Sequence, residues 1–286
     1  MTSVAITKPL YRNKKRRAWE LDFLRGVAVI AMCFDHLMFD LAYFKSWFSN
    51  SRDVHNAVMD AIAEFARAYW NSAFGSYTGF RFWAHHLFVF LFLFLVGTSC
   101  AFSHDNTRRG ALLGVVSIVF TGATFALREI GIMQYGIVFG ILHCIAMCIL
   151  LCAALDIITS WNKYLNKYLP LAIGVAIVAA GVLNDFWQTP WDKVFTSEHF
   201  LDYILGSRAY GDDWFGIFPN IGAVLIGMYW GKAAYPMRAS LLPRLDGKWN
   251  KPITFVGRHA LIVFLLHQVV LAAVWGIVCL CVGYRF

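Results

Sequence analysis

The chain has 286 residues, of which 59% are apolar and only 15% charged, with a mean hydropathy of +0.57. A typical soluble domain is about 25% charged, so these values exclude an ordinary soluble globule and a disordered chain alike and leave a polytopic helical membrane protein. The net charge of +8 does not imply nucleic acid, because Lys8, Arg12, Lys14, Lys15, Arg16 and Arg17 crowd a tail ahead of the first apolar run, as the positive-inside rule produces.

Seven runs approach the roughly 20 apolar residues of a membrane span: 21–44, 84–103, 110–128, 132–156, 168–184, 215–233 and 257–282. The expected fold class is therefore an all-α integral membrane protein of about seven transmembrane helices. Residues 1–20 form a basic cytoplasmic tail and 21–286 a single polytopic domain. The first run is too long for a signal peptide and no small-residue cleavage site follows it, so it reads as a retained helix. With the N-terminus inside, the inner segments carry sixteen Lys and Arg and the outer ones eight, which favours N-in and C-out. The outer loop 185–213 is acidic, with Asp185, Asp192, Glu198, Asp202, Asp212 and Asp213. In the outer segment 45–83, Val58, Ile62, Phe65 and Tyr69 recur at helical spacing. They predict an amphipathic helix on the outer membrane surface, either covering a cavity mouth or acting as a strut.

The first run carries Arg25, Asp35, His36 and Asp40. Ionisable groups at membrane depth are costly and mark function by default. Arg25 and His36, eleven residues apart, fall within about 20° of one face and about 16 Å along the axis. His36 and Asp40 are an i, i+4 pair. Such a stripe must line protein or a water-filled cavity. His143 and His267 are expected at a similar central depth, as site residues or as interhelical hydrogen-bonding groups. His85 and His86 open the second span, where a histidine costs little and a structural reading serves. The seven cysteines all lie in apolar runs, Cys144, Cys148 and Cys152 on one helical face. They read as buried hydrophobes rather than a disulfide framework or a zinc site, and no metal is expected.

Leu21–Gly26 (LDFLRG), followed by an apolar run ending Phe34-Asp35-His36, resembles the opening helix of transmembrane acyltransferases, and the Arg25-to-His36 spacing that of acyltransferase type 3. Phe94–Gly110 (FLVGTSCAFSHDNTRRG), Phe139–Ala146 (FGILHCIA), Val256–Gln268 (VGRHALIVFLLHQ) and, more weakly, Trp214–Gly231 are similar to the bacterial branch related to the heparan-α-glucosaminide N-acetyltransferase catalytic domain. The resemblance implies a membrane transferase that moves an acyl group, usually acetyl, from cytoplasmic acyl-CoA to a sugar or glycan at the far face. The lysosomal relatives have Asn in place of His36. Their catalytic His lies before the second span beside a Trp-Asn-Gly sequence without a clear counterpart here; His85 and His86 are the nearest histidines.

The chemistry of the residues agrees with that implication. His36, oriented by Asp35 or Asp40, suits a general base or a transient acyl carrier. Polyanionic CoA needs inner cations, for which Arg25, Arg108, Arg109, Lys251 and Arg258 are candidates. His143, His259 and His267, from the similar stretches, join them as candidate cofactor-binding residues. The alternatives are a structural Arg25–Asp22 pair, a proton-coupled transporter using Asp35, His36, Asp40, His143 and His267, and a non-catalytic scaffold. The expected partners are the bilayer, acyl-CoA and a sugar or glycan acceptor, with a homodimer left open and no nucleic acid. No Asn-x-Ser/Thr sequon occurs, and the expected location is a bacterial cytoplasmic membrane.

Overall fold

A computed structural model describes residues 18–71, 79–131, 135–185, 188–211 and 213–286. The tail cations and Asp212 lie outside the described residues. Ten α-helices are present among them: α1 (Trp19–Tyr43), α2 (Ala57–Asn71), α3 (Phe80–Cys100), α4 (Asn106–Glu129), α5 (Ile141–Thr159), α6 (Lys163–Leu183), α7 (Phe200–Leu205), α8 (Asn220–Ala234), α9 (Lys251–Arg258) and α10 (Ala260–Val282). The strand content is a two-residue parallel pairing of β1 (Trp191–Asp192) with β2 (Ala209–Tyr210). Six helices are long and apolar enough to cross a membrane: α1, α3, α4, α5, α6 and α10. The fold is thus an all-α integral membrane protein, as composition required.

The seventh expected span, α8, has fifteen residues. The preceding segment is spent on pairing instead: Trp214 bridges Gly140, and Phe215 N donates to Phe139 O at 3.1 Å. The same pairing keeps residues 135–140 out of α5, which starts at Ile141 rather than near 132. The final apolar run is broken at His259 into α9 and α10.

Sequence also explains the helix ends. Asp105 caps α4 by accepting from Arg108 N at 2.8 Å, and Asn162 caps α6 by accepting from Tyr164 N and Leu165 N. Such side chains satisfy amide donors that the first turn leaves without carbonyl partners.

Glycine sets the closest helix crossings. A Cβ on Gly97 of α3 would stand 1.8 Å from Val224 O, and one on Gly227 of α8 would stand 1.9 Å from Phe94 O. Where α9 crosses α1, a Cβ on Gly257 would stand 1.7 Å from Asp22 O and one on Gly26 would stand 2.1 Å from Ile253 O. In a bilayer, where lipid is as apolar as leucine, close backbone approach is a main source of helix affinity. The main core joins α3, α5 and α8 through Leu93, Val96, Ile145, Ile149, Val224 and Met228. Cys144, Cys148 and Cys152 are fully buried in this core as free thiols, with Cys100 beside them.

The expected amphipathic helix forms as α2, but it buries a different face. Met59, Ala63 and Ala66 are buried, while Val58 and Phe65 are exposed. Ala66 packs with Met38 and Ala42, Arg67 Nε donates to Ala42 O, and Tyr69 reaches Asp35. These contacts run α2 antiparallel down the second half of α1, so small residues face the partner helix and large apolar ones face outward.

Candidate functional site

At the end of the bundle where α1 begins, the chain surrounds a cavity of about 800 Å³, a volume within the range of ligand pockets. Arg25, Arg108, Arg109, Arg238 and Arg258 line it, against two aspartates, Asp22 and Asp105. Above this charged mouth the walls turn apolar, with Phe92, Val96, Leu142, Ile145 and Phe264.

Local sequence builds the mouth. Asp22, three residues before Arg25, is buried and accepts from Arg25 at 3.1 Å and from Arg258 at 3.3 Å. Arg25 also donates to Ser99 Oγ at 2.8 Å. Arg25 is therefore both paired with Asp22 and exposed to the cavity, which joins the structural and the functional reading. Glu20, one turn below, accepts from Ser240 Oγ and Leu241 N, and Trp19 Nε1 donates to Leu242 O. These bonds tie the loop after α8 to α1, in the region from which Arg238 reaches the cavity. Burial, with Glu20 nearby, raises the pKa of the Tyr235 phenol in that loop.

Phe264 marks the deep end. Its carbonyl accepts from His267 Nδ1 at 2.6 Å, and the His267 ring meets the His36 ring edge-to-face with centroids 4.8 Å apart. His36 Nδ1 donates to Met32 O at 2.9 Å. A carbonyl cannot donate, so Nδ1 carries a proton, and in the neutral ring Nε2 keeps the lone pair. His36 itself does not line the cavity; it stands behind His267.

The carboxylates expected to orient His36 are engaged elsewhere. Asp40 is buried and accepts from Gln268 Nε2 at 2.8 Å. Asp35 takes a two-pronged bond from Arg81, at 2.7 Å on each oxygen, with Tyr69 Oη at 3.3 Å and His85 Nδ1 at 3.6 Å. The Arg81 guanidinium also lies 3.4 Å over the Trp70 ring. The ring of His36 is thus held by its own helix, four residues back. Residue 35 points about 100° away from residue 36 on a helix, which explains why adjacent residues serve different partners.

Sequence reasoning missed Arg81 and undervalued His85. With the span opened at 84, Arg81 was an outer-loop charge. With α3 opened at Phe80, Arg81 and His85 are an i, i+4 pair on a membrane helix. Replacing Arg81 with leucine is expected to leave the Asp35 charge uncompensated and to cost about 3–5 kcal/mol. A thermal melt in detergent checks this; Asp35→Asn combined with Arg81→Leu should recover part of the loss.

His143 is the third residue of α5, whose first turn lies beside the middle of α4. Gly140 N donates to its Nδ1 at 3.3 Å, and Thr121 Oγ1 lies 3.2 Å from its Nε2. Its nitrogens close the α5 N-terminus. His259 is exposed at the α9–α10 joint with Nδ1 donating to Phe255 O, and neither His259 nor Lys251 lines the cavity. The cavity thus gathers Arg25, Arg108, Arg109 and Arg258 from the expected set and adds Arg238. His86 Nδ1 donates to Phe82 O at 2.7 Å. Among the described residues, no group of three or more His, Cys, Asp or Glu is placed to hold a metal ion.

A multi-pass helical bundle with an arginine-lined cavity beneath a half-buried histidine pair has the architecture of a membrane-embedded enzyme. The family model for heparan-alpha-glucosaminide N-acetyltransferase, catalytic, matches residues 17–66 and 65–269, and the chain belongs to this family. Membership places it among membrane acetyltransferases in general. Comparison with curated proteins and with solved structures gives no match.

Proposed function

We propose that the chain transfers an acyl group, acetyl in the first instance, from cytoplasmic acyl-CoA to a sugar or glycan acceptor reaching the site from the outer face. The end of the bundle carrying the arginines then faces the cytoplasm, and the membrane is a bacterial cytoplasmic membrane. The observation that carries this reading is the five-arginine mouth with apolar walls above it as far as Phe264, against which His267 packs with His36 behind it. Arginine recognises phosphate oxygens by paired, charge-assisted bonds, and CoA is polyanionic at one end with a long neutral arm ending in the thioester. From Arg25 to His36 is eleven residues, about 16 Å of helix, a distance suited to that arm.

His36 Nε2 serves as the base, its Nδ1 being committed to Met32 O. It either takes the acceptor's proton during attack on the thioester or carries the acetyl group between donor and acceptor. Exchange of label between free CoA and acetyl-CoA without acceptor occurs only by the second route and distinguishes the two.

The test is direct. The purified protein is titrated with acetyl-CoA, then given acetyl-CoA and glucosamine while free thiol is measured. Binding and thiol release support the reading; absence of acetyl-CoA binding overturns it. Arg108, exposed and without a side-chain ion pair among the described residues, offers a clean probe of the donor site. Arg108→Ala should weaken CoA binding by about tenfold or more, as loss of one charged hydrogen bond predicts. Titration calorimetry at low and high salt checks it, because an electrostatic contribution shrinks with ionic strength.

A further inference from the structure

Six buried side-chain atoms among the described residues have no hydrogen-bond partner, and five of them lie along one seam: His267 Nε2, Gln268 Oε1 and Asp40 Oδ2, then Trp275 Nε1, then Tyr284 Oη. The seam is the contact of α1 with α10 and its C-terminal extension. Gln268 and Trp275 are seven residues apart, which puts them on one face about 10 Å apart along the axis. Asp40 and Phe44 stand one turn apart opposite them, with the Phe44 ring 5.6 Å from Trp275 and 5.5 Å from Tyr284. The series therefore climbs from the histidine pair toward the outer end of the bundle.

The chemistry of the five atoms selects an occupant. Asp40 Oδ2 and Gln268 Oε1 only accept. His267 Nε2 also accepts, because its Nδ1 donates to Phe264 O. Trp275 Nε1 only donates, and a phenol does both. A metal cation satisfies the acceptors and repels the indole N–H; an apolar chain satisfies none. Water satisfies all of them, and buried water typically makes about three such bonds. Buried polar atoms in natural proteins are otherwise nearly always paired.

We propose that the α1–α10 seam holds a file of water molecules that carries protons between the His36–His267 pair and the outer surface, with Asp40 as its carboxylate relay. Its use rests on the transferase reading above. When an acceptor R–XH attacks the thioester, the X–C bond forms, the C–S bond breaks and the electron pair leaves on the CoA thiolate. The X–H proton goes to His36 Nε2 and out through the seam, while the thiolate is protonated from inner water. The outer end lies at Tyr284, whose phenol is raised by burial and feels the Lys45–Asp60 ion pair. The other charged or titratable groups acting on His36 are Asp35 on α1 and Arg81 and His85 on α3. Tyr69 on α2 meets them through Asp35.

The experiment does not require turnover. Protein with ¹⁵N-labelled histidine is sealed in vesicles with the cytoplasmic end inward. The inner pH is clamped while the outer pH is stepped between about 5 and 8, the range in which histidine titrates. His36→Gln and His267→Gln assign the resonances. The expected result is that the pair's nitrogen shifts follow the outer pH, and that Gln268→Leu with Trp275→Phe slows this response at least tenfold. Trp275→Phe alone removes the N–H and keeps an aromatic ring beside Phe44, so it serves where the double variant does not fold. Shifts that follow the inner pH, shifts that follow neither side, or an unchanged response in the variants each overturn the seam. Outer-pH titration in a protein that releases no thiol from acetyl-CoA would instead overturn the transferase reading and leave the seam standing.

Discussion

His36→Ala is expected to lower acetyl-CoA-dependent thiol release by about 10²–10⁴-fold, the range for loss of a general base, with CoA binding unchanged. The separation of the two effects follows from geometry. The arginines proposed to hold CoA line the cavity mouth, Arg25 about 16 Å of helix from His36, and His36 does not line that cavity. Its Nδ1 is committed to Met32 O, so the substitution removes a ring already oriented with Nε2 as its basic atom. His36→Gln, which keeps volume and polarity but supplies no base, should be as inactive as His36→Ala. Thermal melts of both variants control for packing against His267. Calorimetry with CoA and a thiol assay on the same preparation give the comparison. Retention of turnover in either variant would exclude His36 as the base or carrier.

The second large effect belongs to a residue with no side chain. Gly257→Val is expected to lower stability by about 3 kcal/mol, the upper end for overpacking, and to abolish CoA binding. A Cβ at this position would stand 1.7 Å from the carbonyl oxygen of Asp22. No rotamer relieves a clash with backbone, so α9 must leave α1. Asp22 and Arg258 sit at that crossing and are bonded to each other, so both would be displaced from the cavity mouth. Gly114→Val on α4 is the control, since a Cβ there meets nothing within 4 Å. A melt in detergent and a CoA titration should show a large double loss for Gly257→Val and little change for Gly114→Val.

Much of the architecture is legible in the sequence because the bilayer imposes one length on every span. The runs at 21–44, 84–103 and 110–128 match α1, α3 and α4 within a few residues. The departures share a physical cause, which is that hydropathy does not report backbone pairing. Residues 135–140 and 215–219 continue the apolar runs of their helices in sequence, yet Gly140, Phe139, Trp214 and Phe215 bond one another. That pairing makes His143 the third residue of α5 and not a mid-helix one. In α2 the large apolar residues caught the eye, while Ala63 and Ala66 made the contact. Close packing selects for smallness, which a hydrophobic stripe does not display. The stripe on α1 was readable because periodicity places Arg25, His36 and Asp40. Their partners were not, because Ser99, His267 and Gln268 come from elements whose register against α1 no local pattern fixes.

The polar residues of α1 do not receive their partners at the same time. Asp35 is matched by Tyr69 and Arg81, which follow within fifty residues of it in the chain. Asp40 and His36 depend on Gln268 and His267, more than 220 residues later. At roughly 5–20 residues per second of synthesis, the first pairing is available within seconds, whereas the second waits about 10–45 seconds. During that interval a carboxyl and an imidazole stand in the half-built bundle without their final neighbours. Insertion of α10 is thus the step that completes these two pairings, and a ribosome stalled before it would leave a nascent chain carrying a recognisable polar wound for membrane quality control.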